Sequence, residues 1–241
     1  MSQYLNFFKL LPFIDATRLS ILTFVRRYIF KFGKIIFSQT GEEIIIQWIL
    51  KDVKKGVYVD VGCHHPYKIS NTFKLYLEGW RGIAIDANED VIRKFKKARP
   101  EDISLLKAVS DVEQEVTFYK FKESEVNTID EKTLKEWKKE WNLESEVRMT
   151  TETLTKILDE NLPSNKNIDL LTIDVEGNDF NVLKSLNFDK YRPKLIVVEL
   201  HKFDLSTIQE NEVYQFLITK NYDLVSFATM NGYFLDKFYK N

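Results

Sequence analysis

The sequence predicts an α/β fold with a mostly parallel, doubly wound sheet that closes on an antiparallel hairpin, and three observations predict it. The apolar run Val57–Val61 passes through Asp60 and turns at Gly62, as a buried parallel strand does before its connecting loop. Strand and helix patterns then alternate at the spacing of βα units with right-handed crossovers. Two final strand patterns are joined through Asn231 and Gly232, a dipeptide typical of hairpin turns.

The first helix is expected from a cap at Asp15 or Thr17 to about Phe32, with Leu19, Leu22, Phe24, Val25 and Ile29 on its apolar surface. It packs on its own domain or on a second subunit as a homodimer contact, or its basic and aromatic surface meets a membrane peripherally. A second helix starts at Ser38 or Thr40, with Glu42 and Glu43 near its positive end. After the first strand come a helix over Asn71 to Leu77, a strand closing on Asp86, a helix over Glu89 to Ala98 and a third strand in SLLKAV. VTFYKF reads as a strand, and 122–148 as an insertion that is either a solvated excursion or a lid, with a helix from Asp130 to Trp141. A helix from Thr151 leads to the strand IDLLTIDVEG, then a helix to about Leu186, the strand LIVVEL, a helix near Glu210 to Lys220, and the hairpin. The domain reading is an N-terminal helical arm over 1–50 and one α/β domain over 51–241.

Composition narrows the function. With 35 basic and 36 acidic side chains, the chain has no bulk attraction for nucleic acid. The single cysteine, Cys63, excludes an internal disulfide and a multi-cysteine metal site, and suits a reducing cytoplasm. Charges interrupt the N-terminal apolar stretch before it reaches the ~20 residues of a membrane span, and no signal-peptide pattern stands out.

Two constellations carry chemistry. The loop Asp60–Pro66 follows a strand, and Asp86 closes the next strand about 24 residues after Gly62, near the spacing of a ribose-binding acid. The further glycines of a pyrophosphate cradle are missing, which disfavours NAD and FAD more than a cofactor without phosphates. Asp174, Glu176, Glu199 and His201 end the fourth and fifth strands and are expected to meet His64 and His65 in one crevice. Such a cluster suits a divalent ion with an open position, or general base chemistry by a histidine without metal. Cys63 reads as a small buried residue rather than a nucleophile.

FSQTGEE (Phe37–Glu43), YVDVGCHHPYKISNT (Tyr58–Thr72), GWRGIAIDAN (Gly79–Asn88), KAVSD (Lys107–Asp111), IDLLTIDVEG (Ile168–Gly177) and YRPKLIVVELH (Tyr191–His201) resemble the FkbM family of S-adenosylmethionine-dependent methyltransferases. The resemblance implies a Rossmann-like seven-stranded methyltransferase sheet and methyl transfer to a hydroxyl of a small molecule or glycan. It assigns Asp60 and Gly62 to the methionine end of the donor, Asp86 to the ribose, and Ser110 and Asp111 to the adenine side. Asn71 and Thr72 match the family's S-N-T block. The chain departs from the family at Cys63, His64, His65 and Pro66, where many members have Ala-Asn or Ala-His and then glycine.

The mechanism expected is in-line transfer in which Asp174, Glu199 and His201 hold a Mg or Mn ion that acidifies the acceptor hydroxyl, with His64, His65, His201 and Glu176 as catalytic candidates. Alternatives are a metal-independent O-methyltransferase with a histidine base, a nucleotide-sugar oxidoreductase, and a scaffold that keeps only the fold.

Overall fold

The computed structural model describes residues 2–25, 28, 35–200 and 204–239. In chain order the elements are α1 (Ser2–Leu10), α2 (Phe13–Val25), α3 (Glu42–Ile49), β1 (Val57–Val61), α4 (Phe73–Leu77), β2 (Arg81–Asp86), α5 (Glu89–Ala98), β3 (Ile103–Leu106), β4 (Ala108–Val109) and β5 (Glu115–Phe121). They continue with α6 (Glu131–Trp137), β6 (Leu143–Glu152), α7 (Leu154–Asn161), β7 (Leu170–Ile173), α8 (Asp179–Lys184), β8 (Leu195–Glu199), α9 (Glu212–Thr219), β9 (Tyr222–Ala228) and β10 (Asn231–Asp236).

Seven strands form one sheet in the order β3-β2-β1-β7-β8-β10-β9. Neighbours from β3 to β8 are parallel, and β10 runs antiparallel to both β8 and β9. The chain moves outward from β1 to β3, then returns to the other side of β1 at β7, so the strand order reverses between β1 and β7. That reversal opens a crevice at the carboxyl ends of the two strands.

The alternation of β1 explains why both sheet faces are covered. Val59 and Val61 join one core with Leu154, Ile157 and Leu158 of α7, Val182 and Leu183 of α8, and Val213 and Leu217 of α9. Tyr58 points to the opposite face, where Ile46, Ile49, Leu75 and Trp80 pack. Each fully buried aliphatic there contributes roughly 1.5–3 kcal/mol.

Several expectations need correction. The N-terminal region is a helix pair, with α2 starting at Phe13 directly after Pro12, whose fixed φ suits a helix start. Thr17 is no cap: its hydroxyl donates to the Phe13 carbonyl within the helix. The part of the expected helix over 26–27 and 29–32 lies outside the described residues. The expected third strand divides at Lys107, so β3 stays in the main sheet while β4 and β5 flank β6 in a separate three-stranded sheet. β6 was not predicted, because its LESEVRMTTE sequence is mostly solvent-exposed and carries no apolar alternation. Consequently the helix expected from Thr151 begins at Leu154, capped by Thr153. In the final hairpin Asn231 and Gly232 belong to β10, and Thr229 and Met230 make the turn, Thr229 with φ 58°.

Candidate functional site

A cleft of about 600 Å³ opens over the carboxyl ends of β1, β2, β7 and β8, and residues 123–141 of the segment between β5 and β6 supply much of its opposite wall. On the sheet side it is lined by Asp60, Gly62, Cys63, His64, Asn71 and Asp86.

Asp60 faces away from Val59 and Val61, into the space between β1 and α4. The Thr72 hydroxyl donates to its carboxylate at 2.6 Å. Arg99, with no exposed surface, donates to Thr72 Oγ1 (2.8 Å), Ser70 Oγ (2.8 Å) and the Pro66 carbonyl (2.7 Å). Its guanidinium also lies 4.8 Å from the Phe95 ring centroid and 3.9 Å from Asp102. One buried cation therefore ties the loop Pro66–Thr72 to α5. Burial raises Asp60 to about 6, opposed by the Thr72 hydrogen bond and by Arg99.

Asp86 closes β2. One carboxylate oxygen accepts the His64 backbone N–H (3.0 Å), the other that of Asn88 (2.8 Å). Burial raises it to about 6 against those two bonds. Each oxygen keeps a lone pair for a ligand in the cleft. At Gly62, φ is 81° and a Cβ would stand 1.6 Å from the Asp174 carbonyl oxygen, so only glycine lets the β1 and β7 loops close on each other.

The structure brings Asp174, Glu176 and Glu199 together, with one carboxylate oxygen of each within 4.8 Å of the others. Burial first, then Asp174, Glu199 and Asp179, pushes the Glu176 carboxyl well up. Glu176 has φ 52°, and its carbonyl accepts the Thr128 hydroxyl at 2.8 Å. The adjacent Gly177, φ 98°, leaves room for Thr133 of α6, which would lie 2.2 Å from a Cβ there. The segment between β5 and β6 is thus seated directly on the acidic loop.

The histidines separate. His64 lines the cleft with Nε2 3.7 Å from Glu125, and burial lowers its pKa against that partner. His65 does not line it: its Nδ1 accepts the backbone N–H groups of Tyr67 (3.3 Å) and Lys68 (3.1 Å), and its ring meets Tyr67 edge-on. Burial, then Lys94, brings His65 down to about 4, so it works as a neutral turn-holder. His201 lies outside the described residues.

Asn71 faces the cleft and donates to Thr172 Oγ1 at 3.2 Å, whereas Thr72 is fully buried beneath it and acts on Asp60. Ser110 and Asp111 fall just beyond the lining formed by Lys107, Ala108 and Val109, with Asp111 paired to Lys184 at 2.7 Å. Cys63 is buried, and burial with Asp86 and Asp60 pushes its thiol well up, away from nucleophilic use. Arg99 had no signal in the sequence, since an arginine ending a helix before Pro100 is ordinarily solvated. Trp137 and Trp141 both line the cleft, and neither indole Nε1, though buried, has a hydrogen-bond partner among the described residues.

The model of the methyltransferase FkbM domain matches residues 60–234, well over half the chain. The chain belongs to that family. An FkbM methyltransferase domain thus makes up most of this chain. A search of curated proteins returned no match. Among solved structures, methyltransferase FkbM from Methylobacillus flagellatus KT aligns at 10% identity and TM-score 0.49, covering 97% of this chain and 58% of that one. The chain thus spans less than two thirds of that relative's length. A TehB-like SAM-dependent methyltransferase from Corynebacterium glutamicum aligns at 12% identity and TM-score 0.41, covering 92% of this chain and 99% of that one. Among the described residues, no helix of this FkbM-domain methyltransferase is long and apolar enough to cross a membrane.

Proposed function

We propose that this chain methylates a hydroxyl of a carbohydrate, nucleotide-linked or part of a surface glycan, with help from a divalent ion. The observation that carries the reading is the group of three carboxylates, Asp174, Glu176 and Glu199, beside the Gly62 turn. Three oxygens within 4.8 Å of one another need only draw together slightly to share a magnesium or manganese ion that keeps open positions, since two ~2.1 Å bonds to one ion span at most ~4.2 Å. Bound there, such an ion supplies Lewis acidity that lowers the pKa of an alcohol oxygen.

S-adenosylmethionine would supply a methyl on a sulfonium, passed to the acceptor oxygen as the S–C bond breaks, with the hydroxyl proton going to cleft water or to a base in the cleft. Asp60 and the Gly62 backbone hold the methionine end, where a carboxylate favours the ammonium and sulfonium charges. Asp86 takes the ribose hydroxyls, its orientation set by two backbone donors. The adenine lies against Ala108 and Val109, with Ser110 and Asp111 behind them. Trp137 and Trp141 offer indole faces on the acceptor side, suited to the apolar face of a sugar ring. The lone reduced thiol of Cys63 is compatible with work in the cytoplasm.

His64 supports a second route. It lines the cleft, and burial lowers its pKa and so favours the neutral ring that can accept the proton without metal. The test is transfer of labelled methyl from S-adenosylmethionine to a glycan extract, before and after exhaustive chelation and with Mg or Mn restored. Loss on chelation and recovery with metal support the ion. Full turnover after chelation, lost in His64→Gln, assigns the base to His64. Label appearing as N-methyl or S-methyl would overturn the hydroxyl reading.

A further inference from the structure

The α1–α2 pair carries an apolar surface that the other described residues leave uncovered. Phe13 is 75% and Ile14 64% exposed, and Ile21, Leu22 and Phe24 are exposed on the same helix. At 100° per residue, Phe13, Phe24, Ile21, Ile14 and Leu22 follow one another around half of α2. Ala16 and Thr23, on the other half, are buried. Phe8 of α1 extends the patch, its ring 5.8 Å from that of Phe13. Contiguous exposed apolar surface of this kind marks an interaction face.

Charge says what covers it. Residues 1–36 hold six basic side chains, Lys9, Arg18, Arg26, Arg27, Lys31 and Lys34, against one acid, Asp15, while the other residues hold 29 basic and 35 acidic. Lys9 and Arg18 are among the described residues, and both are exposed. By helical spacing Arg18 falls between Ile14 and Leu22, within the exposed apolar half of the helix. Asp15 falls at the edge of the stripe, just past Leu22, and is close enough to Tyr67 to add to the rise that burial gives its phenol pKa. An exposed apolar helix face with cations among its residues, in a segment of net positive charge on a chain whose remainder is acidic, matches an anionic lipid surface and not a second copy of the same cationic face.

We infer that the α1–α2 hairpin docks this methyltransferase on an anionic membrane surface, lying in the interface without crossing it. The hairpin is fixed to the domain through Phe7, Leu11 and Ala16 packed on Phe73, with Tyr67 against the same cluster. Tyr67 and Phe73 flank the loop whose Ile69 and Asn71 line the cleft. Docking therefore holds one rim of the cleft close to the lipid, where a saccharide on a lipid carrier reaches it. That last consequence rests on the carbohydrate reading, but the docking does not.

The test is co-sedimentation of the full chain, without methyl donor, with vesicles of phosphatidylcholine alone or with phosphatidylglycerol added. Binding is expected only to the anionic vesicles and is expected to weaken as salt rises. Phe13→Asp with Ile14→Asp should abolish it. Lys9→Glu with Arg18→Glu should weaken it roughly tenfold or more at low salt. Both variants should keep the wild-type circular dichroism and S-adenosylmethionine affinity. Failure of the wild type to bind anionic vesicles, or undiminished binding by the Phe13→Asp/Ile14→Asp variant, would overturn the inference. So would a wild-type dimer in sedimentation velocity that this variant splits, which would give the face to a second copy. Failed methyl transfer to sugars with vesicle binding intact would strike only the carbohydrate reading.

Discussion

The two walls of the cleft are built differently. At the ends of β1 and β2 the two acids that face the cavity already have fixed partners: Thr72 for Asp60, two backbone N–H groups for Asp86, and Arg99 behind both the loop and Thr72. On the wall supplied by the segment between β5 and β6, the indole N–H groups of Trp137 and Trp141 and one carboxylate oxygen of Glu123 are buried without hydrogen-bond partners among the described residues. Buried polar atoms left in that condition cost free energy unless a guest completes them. A preorganised wall suits one invariant ligand, and an incompletely satisfied wall suits the variable one. On the proposed function, the β1–β2 end of the cleft is the donor half, and the wall facing it, with the carboxylates at the ends of β7 and β8, is the acceptor half.

Substitutions can break this contrast, beginning with the largest effect. Arg99→Leu should cost about 3–5 kcal/mol in urea denaturation, because it leaves Ser70, Thr72, the Pro66 carbonyl and Asp102 without their buried cation. Unchanged stability would mean that the sheet-side wall is not braced from behind. Asp86→Ala should weaken S-adenosylmethionine binding roughly 10- to 100-fold by calorimetry, with an intact circular dichroism spectrum. Equal affinity would remove Asp86 from the donor half.

Acidity should separate the halves next. Asp60 and Asp86 are each raised to about 6, so both hold protons in the ligand-free protein at pH 5. The cationic donor favours their ionised forms, so its affinity should fall at least ~10-fold from pH 7 to pH 5, with protons released on binding near pH 6. The same shifts act oppositely on ligand-free stability. A carboxyl whose folded pKa lies above its unfolded value stabilises the fold below pH ~4 and loses that contribution as pH rises through about 6. Donor affinity that is flat with pH would contradict the assignment. The smallest effect is the sharpest in kind: Trp137→Ala should raise the acceptor KM roughly fivefold to tenfold while leaving the donor Kd unchanged.

The difference between the walls also explains what the sequence could reveal. The β1 strand, its Gly62 turn and Asp86 were legible because buried parallel strands write continuous apolar runs, and α5 was legible to the residue because Asn88 caps it and its apolar face is regular. Asp174, Glu176 and Glu199 followed from strand ends and strand order. Thr72 and His65 were legible as near the site but not in their roles, since backbone turns decide whether a side chain faces the cavity or holds the loop. Arg99 was invisible, because its burial depends on Phe73, Tyr76 and Phe95 from two helices closing over it. β6 was equally hidden, as pairing with β5 and not apolar patterning makes it a strand. The N-terminal surface was legible as basic and aromatic, though its division at Pro12 was not.

A crystal structure with S-adenosylhomocysteine bound is the most direct measurement. The predicted result is the ribose hydroxyls on Asp86, the amino acid end by Asp60 and Gly62, and open space between the sulfur and both the Asp174–Glu176–Glu199 cluster and the two tryptophans. A nucleoside stacked on Trp137 or Trp141, with Asp86 left without a ligand contact, would contradict the division of the cleft into donor and acceptor halves.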